Sequence, residues 1–284
     1  MKVLIGITSK NREAILPKAI TSGLTQSYPE KEVAVYDDAS TDGTAKLAPQ
    51  FPGVKWVLSD IPHGYVYARN MFLTLVPNDI FCSLDDDSWF LTDAELAVAV
   101  NYMKEHQDVG AIAFDILSPD DGNKQRLSTV TPVETNMYIG CGHLLRSDVV
   151  KKLGGYIPNP GYYGGEEKDL CIRLIDEGYR IIKMQGLYVW HDKTSVARNQ
   201  PKQHRSGVCN DLVFTYRRVP GWMLIPVLGY KLFSHLRFSV FYKQAPLVAP
   251  CLQGFGDFFR FLFRGNKQRR AVTYNTYRKF RSLN

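Results

Sequence analysis

Residues 84–88 read Leu-Asp-Asp-Asp-Ser, and they end the apolar segment Ile80-Phe81-Cys82-Ser83-Leu84. Such a segment is typical of a buried strand, and in open α/β sheets ligands collect where the strands end. Adjacent carboxylates repel one another unless a cation lies nearby. Mg²⁺ and Mn²⁺ take oxygen ligands and often bind substrate phosphates as well. The stretch therefore predicts a divalent-metal site next to a phosphorylated ligand, with a solvated acidic turn as the alternative.

Length and composition indicate a globular protein with one large core, or one core and a small appendage. The chain has 284 residues, of which 45% are hydrophobic. Its five cysteines are far apart and form no C-x-x-C motif, so we expect neither a zinc site nor a disulfide framework. Such a cysteine pattern is consistent with a protein of the reducing cytosol. We expect no signal peptide, and no apolar run reaches the roughly 18 residues of a spanning helix.

The first half of the chain alternates between strand-like and helix-like segments. This rhythm predicts βαβ units, and hence an α/β fold with a mostly parallel sheet flanked by helices. The predicted strands cover residues 2–8, 32–38, 54–58, 80–84 and 109–114, and the predicted helices cover 13–26, 44–50, 65–76 and 93–106, the last with Thr92 as its N-cap.

The second predicted strand also ends in carboxylates, at Asp37 and Asp38. The segment 39–44 reads Ala-Ser-Thr-Asp-Gly-Thr, which is typical of a turn that caps a helix. Two strand ends that each carry paired Asp residues to one edge of a parallel sheet nevertheless favour a ligand cleft over two unrelated turns.

Several motifs together resemble the family 2 glycosyltransferases of the GT-A fold. The resemblance covers about the first 200 residues, and its motifs occur in the family's order and spacing. The residues that carry it are Ile7-Thr8-Ser9-Lys10-Asn11-Arg12, Asp37 to Thr44, Gly64 with Ala68-Arg69-Asn70, Leu84 to Asp87, Gly164 to Leu170, and His191.

The resemblance implies a set of donor contacts. Thr8 and Asp37 would bind the nucleotide, with Asp37 accepting a hydrogen bond from the base, because a carboxylate can accept the imide N–H of uracil or thymine. Arg69 would contact the diphosphate or the base. We expect the other nucleotide-sugar contacts from Asn11, Arg12, Asp38, Asp85 and Asp86, where one of the last two would bind the ribose.

The resemblance also implies a metal site and a catalytic base. Asp87 would hold Mn²⁺ or Mg²⁺, and His191 would complete the site, although a His after an apolar strand is often structural. Glu167 stands where the family usually has an Asp as the base of inverting enzymes, and Asp169 is the second candidate. Carboxylates in a first helical turn also favour the helix dipole without any catalytic role.

The end of the chain has a different character. Much of the net charge of +7 lies after residue 216, where Asp257 is the one acid, and long apolar runs separate the basic residues. We expect a GT-A catalytic domain over 1–215, with a nucleotide half to about 115 and an acceptor half beyond it, and a helical extension over 216–284. These helices either pack on the catalytic domain or lie at a membrane surface. Nucleic acid is not an expected partner, since no known binding module is present.

Three functions are consistent with these residues. The first is a metal-dependent inverting glycosyltransferase that moves a sugar from a nucleoside diphosphate, UDP or dTDP by expectation, to a hydroxyl of a glycan or a lipid-linked acceptor in cell-surface polysaccharide synthesis. It would work in the cytoplasm, or on the inner face of the membrane. The second is a sugar nucleotidyltransferase, although the glycine-rich loop it needs after the first strand is missing from 9–12. The third is a non-catalytic nucleotide-sugar-binding scaffold, which could be membrane-associated.

Overall fold

The computed structural model describes residues 1–122, 126–161, 163–193, 199–241, 247–264 and 269–283. The chain forms two units. The first comprises Met1–Tyr156 and Glu177–Thr194, and the second comprises Ile157–Asp176 and Ser195–Asn284. The division predicted near residue 215 stays a prediction.

The described part of the first unit contains one nine-stranded sheet. Its strand order is β3-β2-β1-β4-β8-β6-β9-β5, with β7 also paired to β9. Strands β5, β7 and β8 run antiparallel to their neighbours, and the other pairings are parallel. The strands are β1 (Val3–Ser9), β2 (Lys31–Asp38), β3 (Val54–Ser59), β4 (Ile80–Asp85), β5 (Ser88–Phe90), β6 (Val109–Leu117), β7 (Thr131–Thr135), β8 (Gly142–Arg146) and β9 (Arg180–His191).

Helices flank this sheet, so the prediction of an α/β fold with a mostly parallel sheet is confirmed. The helices of the first unit are α1 (Leu16–Leu24), α2 (Tyr65–Leu75), α3 (Glu95–Glu105) and α4 (Ser147–Lys152), and Thr44–Gln50 and Pro119–Asp121 form 3₁₀ turns. Thr92 is not the N-cap of α3, because the helix begins two residues later than predicted, after Ala94. Thr92 instead binds the Glu95 carboxylate through its N–H and its hydroxyl, each at 2.8 Å, and so orders the turn before the helix.

The core of the first unit forms where the apolar strands meet these helices. Ile5, Ile7 and Leu84 are fully buried. Gly6 permits a close approach of α2 to β1, because a Cβ at this position would lie 2.5 Å from the ring of Phe72. The apolar run that ends in the Asp triplet is therefore a central strand, β4, which pairs with β1 on one side and β8 on the other.

The described part of the second unit is helical, which confirms the predicted C-terminal helices. Its helices are α5 (Glu166–Asp176), α6 (Gln200–Arg218), α7 (Leu224–Phe241), α8 (Val248–Phe263) and α9 (Tyr274–Ser282), with a 3₁₀ turn at Gly221–Met223. Its core includes Val208, Leu212, Cys251 and Phe258, all nearly or fully buried.

Two groups of charged side chains, one buried and one partly buried, fix helices to one another in the second unit. Asp169 of α5 accepts hydrogen bonds from Arg173 on the same helix and from Arg218 on α6. Asp211 of α6 accepts bonds from Lys168 on α5 at 2.8 Å and from His235 on α7 at 3.0 Å. The second group also includes Lys231, whose Nζ lies 2.9 Å from Asp211.

Helix α7 exposes large apolar side chains. Trp222 just before it is 72% exposed, and Ile225, Phe233 and Phe241 within it are 76%, 65% and 73% exposed. Among the described residues, none of the helices combines the length and the apolar character needed to cross a membrane.

Candidate functional site

The loops after β1 and β2 hold each other through hydrogen bonds. Asn11 Oδ1 accepts a bond from the backbone N–H of Thr41 at 2.7 Å, and the N–H of Asn11 donates to Ser40 Oγ at 2.8 Å. Asn11 itself has φ = 55°, a left-handed conformation that Asn tolerates better than most residues. Asn11 therefore builds the edge of the site by fixing the two loops.

Asp37 and Asp38 lie at the end of β2. Asp37 is 3% exposed, and its Oδ1 accepts bonds from the N–H and the hydroxyl of Ser40. Asp38 accepts bonds from the backbone N–H groups of His63 at 2.6 Å and Gly64 at 3.1 Å, just before α2. Both residues thus order local backbone at the carboxyl edge of the sheet. Thr8 lies beside Tyr36 in the β1–β2 register.

Asp86 joins the loop after β4 to the loop after β1. Its Oδ2 accepts a bond from the N–H of Lys10 at 3.2 Å, and Arg12 Nε lies 3.5 Å from its Oδ1. Burial raises the pKa of Asp86 to about 7, and repulsion from Asp87 adds to this effect, while Arg12 partly opposes it. The burial that accompanies the position of Asp86 between the two loops thus disfavours its charged form.

Asp87 and His191 form a pair at the end of β4. Ser88, the first residue of β5, pairs with His191 in β9, and this register places His191 Nε2 3.3 Å from Asp87 Oδ1. The backbone oxygen of Asp87 also accepts a bond from the N–H of Asp192 at 2.8 Å. Burial would raise the pKa of Asp87, but the hydrogen bond and charge of His191, with the charge of Arg12, lower it below the usual value.

Arg69 supplies a buried cation to the same edge. It is 2% exposed on α2, and its Nη2 donates to Asp85 Oδ1 at 3.2 Å. Its guanidinium lies 4.9 Å from the ring centroid of Tyr65 and 5.8 Å from that of Tyr156, so two aromatic rings hold it in place.

A buried aromatic network supports Arg69, and the sequence analysis missed it. Tyr156 Oη lies 2.7 Å from His143 Nε2 and 3.1 Å from Tyr138 Oη, and His143 Nδ1 lies 3.1 Å from the oxygen of Ile139. Burial and the nearby Arg69 lower the pKa of His143 well below its usual value. A neutral imidazole can therefore donate from Nδ1 and accept from Tyr156.

The sequence analysis also missed Cys141 near the metal-binding candidates. Asp85, Cys141 and His191 each offer a donor atom, and the three atoms lie within 4.8 Å of one another. Burial raises the pKa of the Cys141 thiol, and the Asp85 charge raises it further. A sulfur is also a softer donor than Mg²⁺ or Mn²⁺ prefers. The carboxylates of Asp85 and Asp87 suit Mg²⁺ or Mn²⁺, and His191 adds a nitrogen donor. The residues present therefore fit a divalent cation.

The two candidate bases lie on α5, in the second unit. Glu167 is partly exposed in the first turn of the helix. Asp169 is 1% exposed, and its two oxygens accept bonds from Arg173 and Arg218 at 2.6–3.1 Å. These contacts favour Glu167 over Asp169 as a group that could take a proton from a substrate.

The polar composition of residues 192–207 predicts a loop that could close over the diphosphate with Lys193 and Arg198. In the structure this loop is shorter than the sequence predicts. Residues from Gln200 onward belong to α6, because Asn199 caps this helix by accepting a bond from the N–H of Lys202 at 3.0 Å. Lys193, a predicted contact to the diphosphate, lies 3.6 Å from Asp120. Arg198 falls outside the described residues, and so does Tyr162 in the aromatic segment before α5.

This site belongs to a chain whose sequence matches a known family. The family model described as "Glycosyl transferase family 2" matches residues 4–154, more than half of the chain. The chain belongs to this family. It is therefore a glycosyltransferase, and the resemblance noted from its motifs is confirmed.

A relative in sequence agrees with this assignment. The chain is 27% identical over 198 residues to the "Putative glycosyltransferase EpsE" of Bacillus subtilis (strain 168), an alignment that covers 65% of this chain and 70% of the relative.

Two solved structures share the GT-A fold. TarS 1-349 of S. aureus, in complex with UDP-GlcNAc, superposes with a TM-score of 0.67 at 18% identity, over 92% of this chain and 81% of that one. The mannosyltransferase PcManGT of Pyrobaculum calidifontis, in complex with GDP-Man and Mn²⁺, has a TM-score of 0.62 at 18% identity, over 99% and 84% of the two chains. At these identities the likeness shows the fold alone.

Proposed function

We propose that this family 2 enzyme is metal-dependent and inverting, and that it transfers a sugar from a nucleoside diphosphate to a hydroxyl of a glycan or a lipid-linked acceptor in cell-surface polysaccharide synthesis. The observation that carries the proposal is the pair Asp87–His191 beside Asp85, at the edge where the loops after β1 and β2 meet. UDP or dTDP is the proposed nucleotide, because Asp37 can accept the imide N–H of uracil or thymine.

The proposed donor roles are those that the family resemblance implies, and the contacts of the side chains support them. Thr8 and Asp37 would bind the nucleotide, with Asp37 at the base. Arg69 would bind the diphosphate or the base, since a guanidinium fork matches phosphate oxygens. Asp85 or Asp86 would bind the ribose. Asn11, Arg12 and Asp38 would act mainly by holding the loops that shape this edge, because each already bonds to neighbouring loop groups.

Asp87 and His191, with Asp85 nearby, would hold Mn²⁺ or Mg²⁺. When bound, the cation supplies positive charge that stabilises the departing diphosphate. Cys141 would lie beside the cation, which prefers the oxygen and nitrogen donors.

Glu167 would act as the base. As the acceptor oxygen attacks the anomeric carbon, its proton passes to the Glu167 carboxylate, and the bond to the diphosphate breaks with its electron pair remaining on the diphosphate. An ordinary Glu has a pKa of about 4.3, too low to remove a hydroxyl proton before the attack. The proton transfer must therefore accompany bond formation.

Nucleotide binding tests the donor site. With Mn²⁺, UDP or dTDP should raise the melting temperature, and Asp87→Ala should lose this shift together with turnover. Asp60→Ala is the matched control, because Asp60 is an exposed carboxylate in the same unit. If the metal-dependent shift in melting temperature survives in Asp87→Ala, Asp87 is not a metal ligand. GDP should be tested alongside, and a shift with GDP alone would overturn the choice of nucleotide.

Turnover tests the base. Glu167→Gln keeps the size of the side chain and removes its basicity, so nucleotide binding should persist while sugar transfer falls by 10²-fold or more, on the order of a general base's contribution. Glu177→Gln, exposed just after α5, is the control. Transfer at the wild-type rate by Glu167→Gln would contradict the assignment.

We further propose that the enzyme works in the cytoplasm and attaches peripherally to the inner face of the cytoplasmic membrane. The support is the exposed apolar surface of α7, which includes Ile225 and Phe233, in a segment rich in Lys and Arg. Ile225→Asp/Phe233→Asp should lower sedimentation with anionic vesicles. Leu58→Asp/Ile61→Asp, two exposed apolar positions of the first unit, should leave it unchanged. Equal effects of the two pairs would refute the attachment.

A further inference from the structure

A basic pocket lies within the second unit, between α6 and α8. It encloses about 400 Å³, and its wall includes Lys202, Arg205, Arg260 and Arg264, with Asp257 as the one carboxylate among its lining residues. Pockets of this size hold small ligands or head groups. The excess of cations indicates an anionic ligand.

The pocket is built on closely packed helices. A Cβ on Gly254 of α8 would lie 2.7 Å from the backbone oxygen of Arg205 on α6, so only glycine permits the observed approach. Lys202 and Arg205 are three residues apart on α6, and Arg260 and Arg264 are four residues apart on α8 and its C-cap. These spacings place the members of each pair on one helix face.

Asp257 orients two of the guanidinium groups. It binds Arg205 through two bonds of 2.6 and 2.9 Å, and it binds Arg260 Nη1 at 2.7 Å. The hydrogen bonds from Arg205 and Arg260 lower the pKa of Asp257 below its usual value. Burial would raise this pKa, but it only partly opposes the two arginines. Asp257 is thus ionised at neutral pH and orients the guanidinium groups of Arg205 and Arg260. Guanidinium groups have further N–H donors after one carboxylate is bound.

We propose that this pocket binds a phosphate group. Three guanidinium groups and one ammonium match the oxygens of a phosphate monoester, diester or diphosphate better than those of a single carboxylate. Phe259 and Phe263 of α8 directly precede Arg260 and Arg264, and they are 44% and 84% exposed. These exposed apolar rings suit a phosphate that carries an apolar chain. A lipid head group, including that of a lipid-linked acceptor, and a soluble phosphate share this chemistry. The lipid source rests on the proposed membrane attachment, whereas phosphate binding itself does not.

Two double variants test the pocket. Arg260→Gln/Arg264→Gln removes two of its cations, and Lys202→Gln/Arg264→Gln removes two while leaving both arginine bonds to Asp257 in place. The matched control is Arg278→Gln/Lys279→Gln, which removes the same charge from exposed positions of α9. Each full-length protein is sedimented with vesicles of phosphatidylcholine alone or with phosphatidylglycerol added, and is titrated calorimetrically with inorganic phosphate in EDTA.

We expect each pocket variant to bind the anionic vesicles about 10- to 30-fold more weakly than the wild type, as the loss of two cations at an anionic surface implies. The control should change by less than about 3-fold. Loss of inorganic phosphate binding in the pocket variants, with no preference of the wild type for anionic vesicles, would support the pocket with a soluble ligand. If the pocket and control variants lose equal amounts of vesicle and phosphate binding, or if neither loses any, the proposal that the pocket binds phosphate would be overturned. Nucleotide binding with Mn²⁺ reports on the first unit alone, so failure of the donor site is detected separately.

Discussion

Asp169→Asn is the substitution that separates a structural carboxylate from a catalytic one on α5. Asp169, Arg173 and Arg218 are 2%, 8% and 3% exposed in their side chains, and three N–H···O contacts of 2.6–3.1 Å join them. Asn is nearly the same size, but its amide group presents hydrogens to the guanidinium groups and carries no charge. Two buried cations would then lose their counter-ion.

The expected cost follows from this burial. Removing one partner of a buried ion pair typically lowers the free energy of unfolding by about 3–5 kcal/mol. In a chain of this size, each kcal/mol lowers the melting temperature by roughly 2–4 °C, so we expect a decrease on the order of 10 °C. Urea unfolding followed by tryptophan fluorescence would measure the free energy of unfolding, and thermal unfolding followed by circular dichroism would measure the melting temperature.

Asp176→Asn is the matched control, because Asp176 is an exposed carboxylate at the end of the same helix. It should lower the melting temperature by no more than about 2 °C. If Asp169→Asn melts within 2 °C of the wild type, the ion group does not stabilise the second unit as inferred. If it is also inactive at that stability, Asp169 rather than Glu167 is the base.

Three other predictions concern packing and pH. Gly6→Ala should lower the free energy of unfolding by about 1–3 kcal/mol in urea titrations, because its Cβ would overlap the ring of Phe72. On α8, Gly254→Ala should destabilise the protein, whereas Gly256→Ala, with open space around its Cβ, should stabilise it by up to about 1 kcal/mol. If both substitutions change the free energy of unfolding in the same direction, the close approach of α8 to α6 is contradicted. Burial would raise the pKa of Asp211, but the hydrogen bond from a histidine and the charges of two lysines lower it on folding. Its stabilisation is thus complete above the unfolded value of about 4 and declines as the pH falls toward the much lower folded value. Asp211→Asn should therefore be less stable than the wild type at pH 7, and the difference in the free energy of unfolding should begin to narrow between pH 5 and pH 3.

The parallel strands were predictable because each leaves a local pattern in the sequence. β1, β2 and β4 are apolar runs that end in polar residues, and the structure places their ends side by side, with Thr8 opposite Asp85 and Ser9 opposite Asp37. A sequence pattern can therefore locate the carboxyl edge of a parallel sheet before any tertiary contact is known.

The antiparallel strands lacked such a pattern. β5 has three residues, β7 contains a proline, and the five residues of β8 are all buried, so no alternation marks the last as a strand. Their pairing depends on long-range contacts. A register shift between β6 and β9 also lies near Gly186, whose φ of 93° and bond to Asp115 fit an irregular strand.

The site was predictable in residue type more than in role. The Asp87–His191 proximity depends on the register of β5 with β9, which the sequence did not reveal. Cys141 directly precedes β8 and His143 is its second residue. No motif in the sequence links either of them to the Asp triplet. A buried histidine or cysteine acquires its neighbours from pairings that are remote in sequence, so local spacing could not identify either one.

The bond between Asp169 and Arg218 constrains how this enzyme can be recombined with others. Helix α5 is encoded between strands β8 and β9 but belongs to the second unit. A chimera joined at residue 215 would take Arg218 from one parent and Asp169 from the other. It would likewise separate Asp211 from Lys231 and His235. Grafting the C-terminal helices onto a different donor-binding sheet should therefore succeed only when residues 157–176 are transplanted with them.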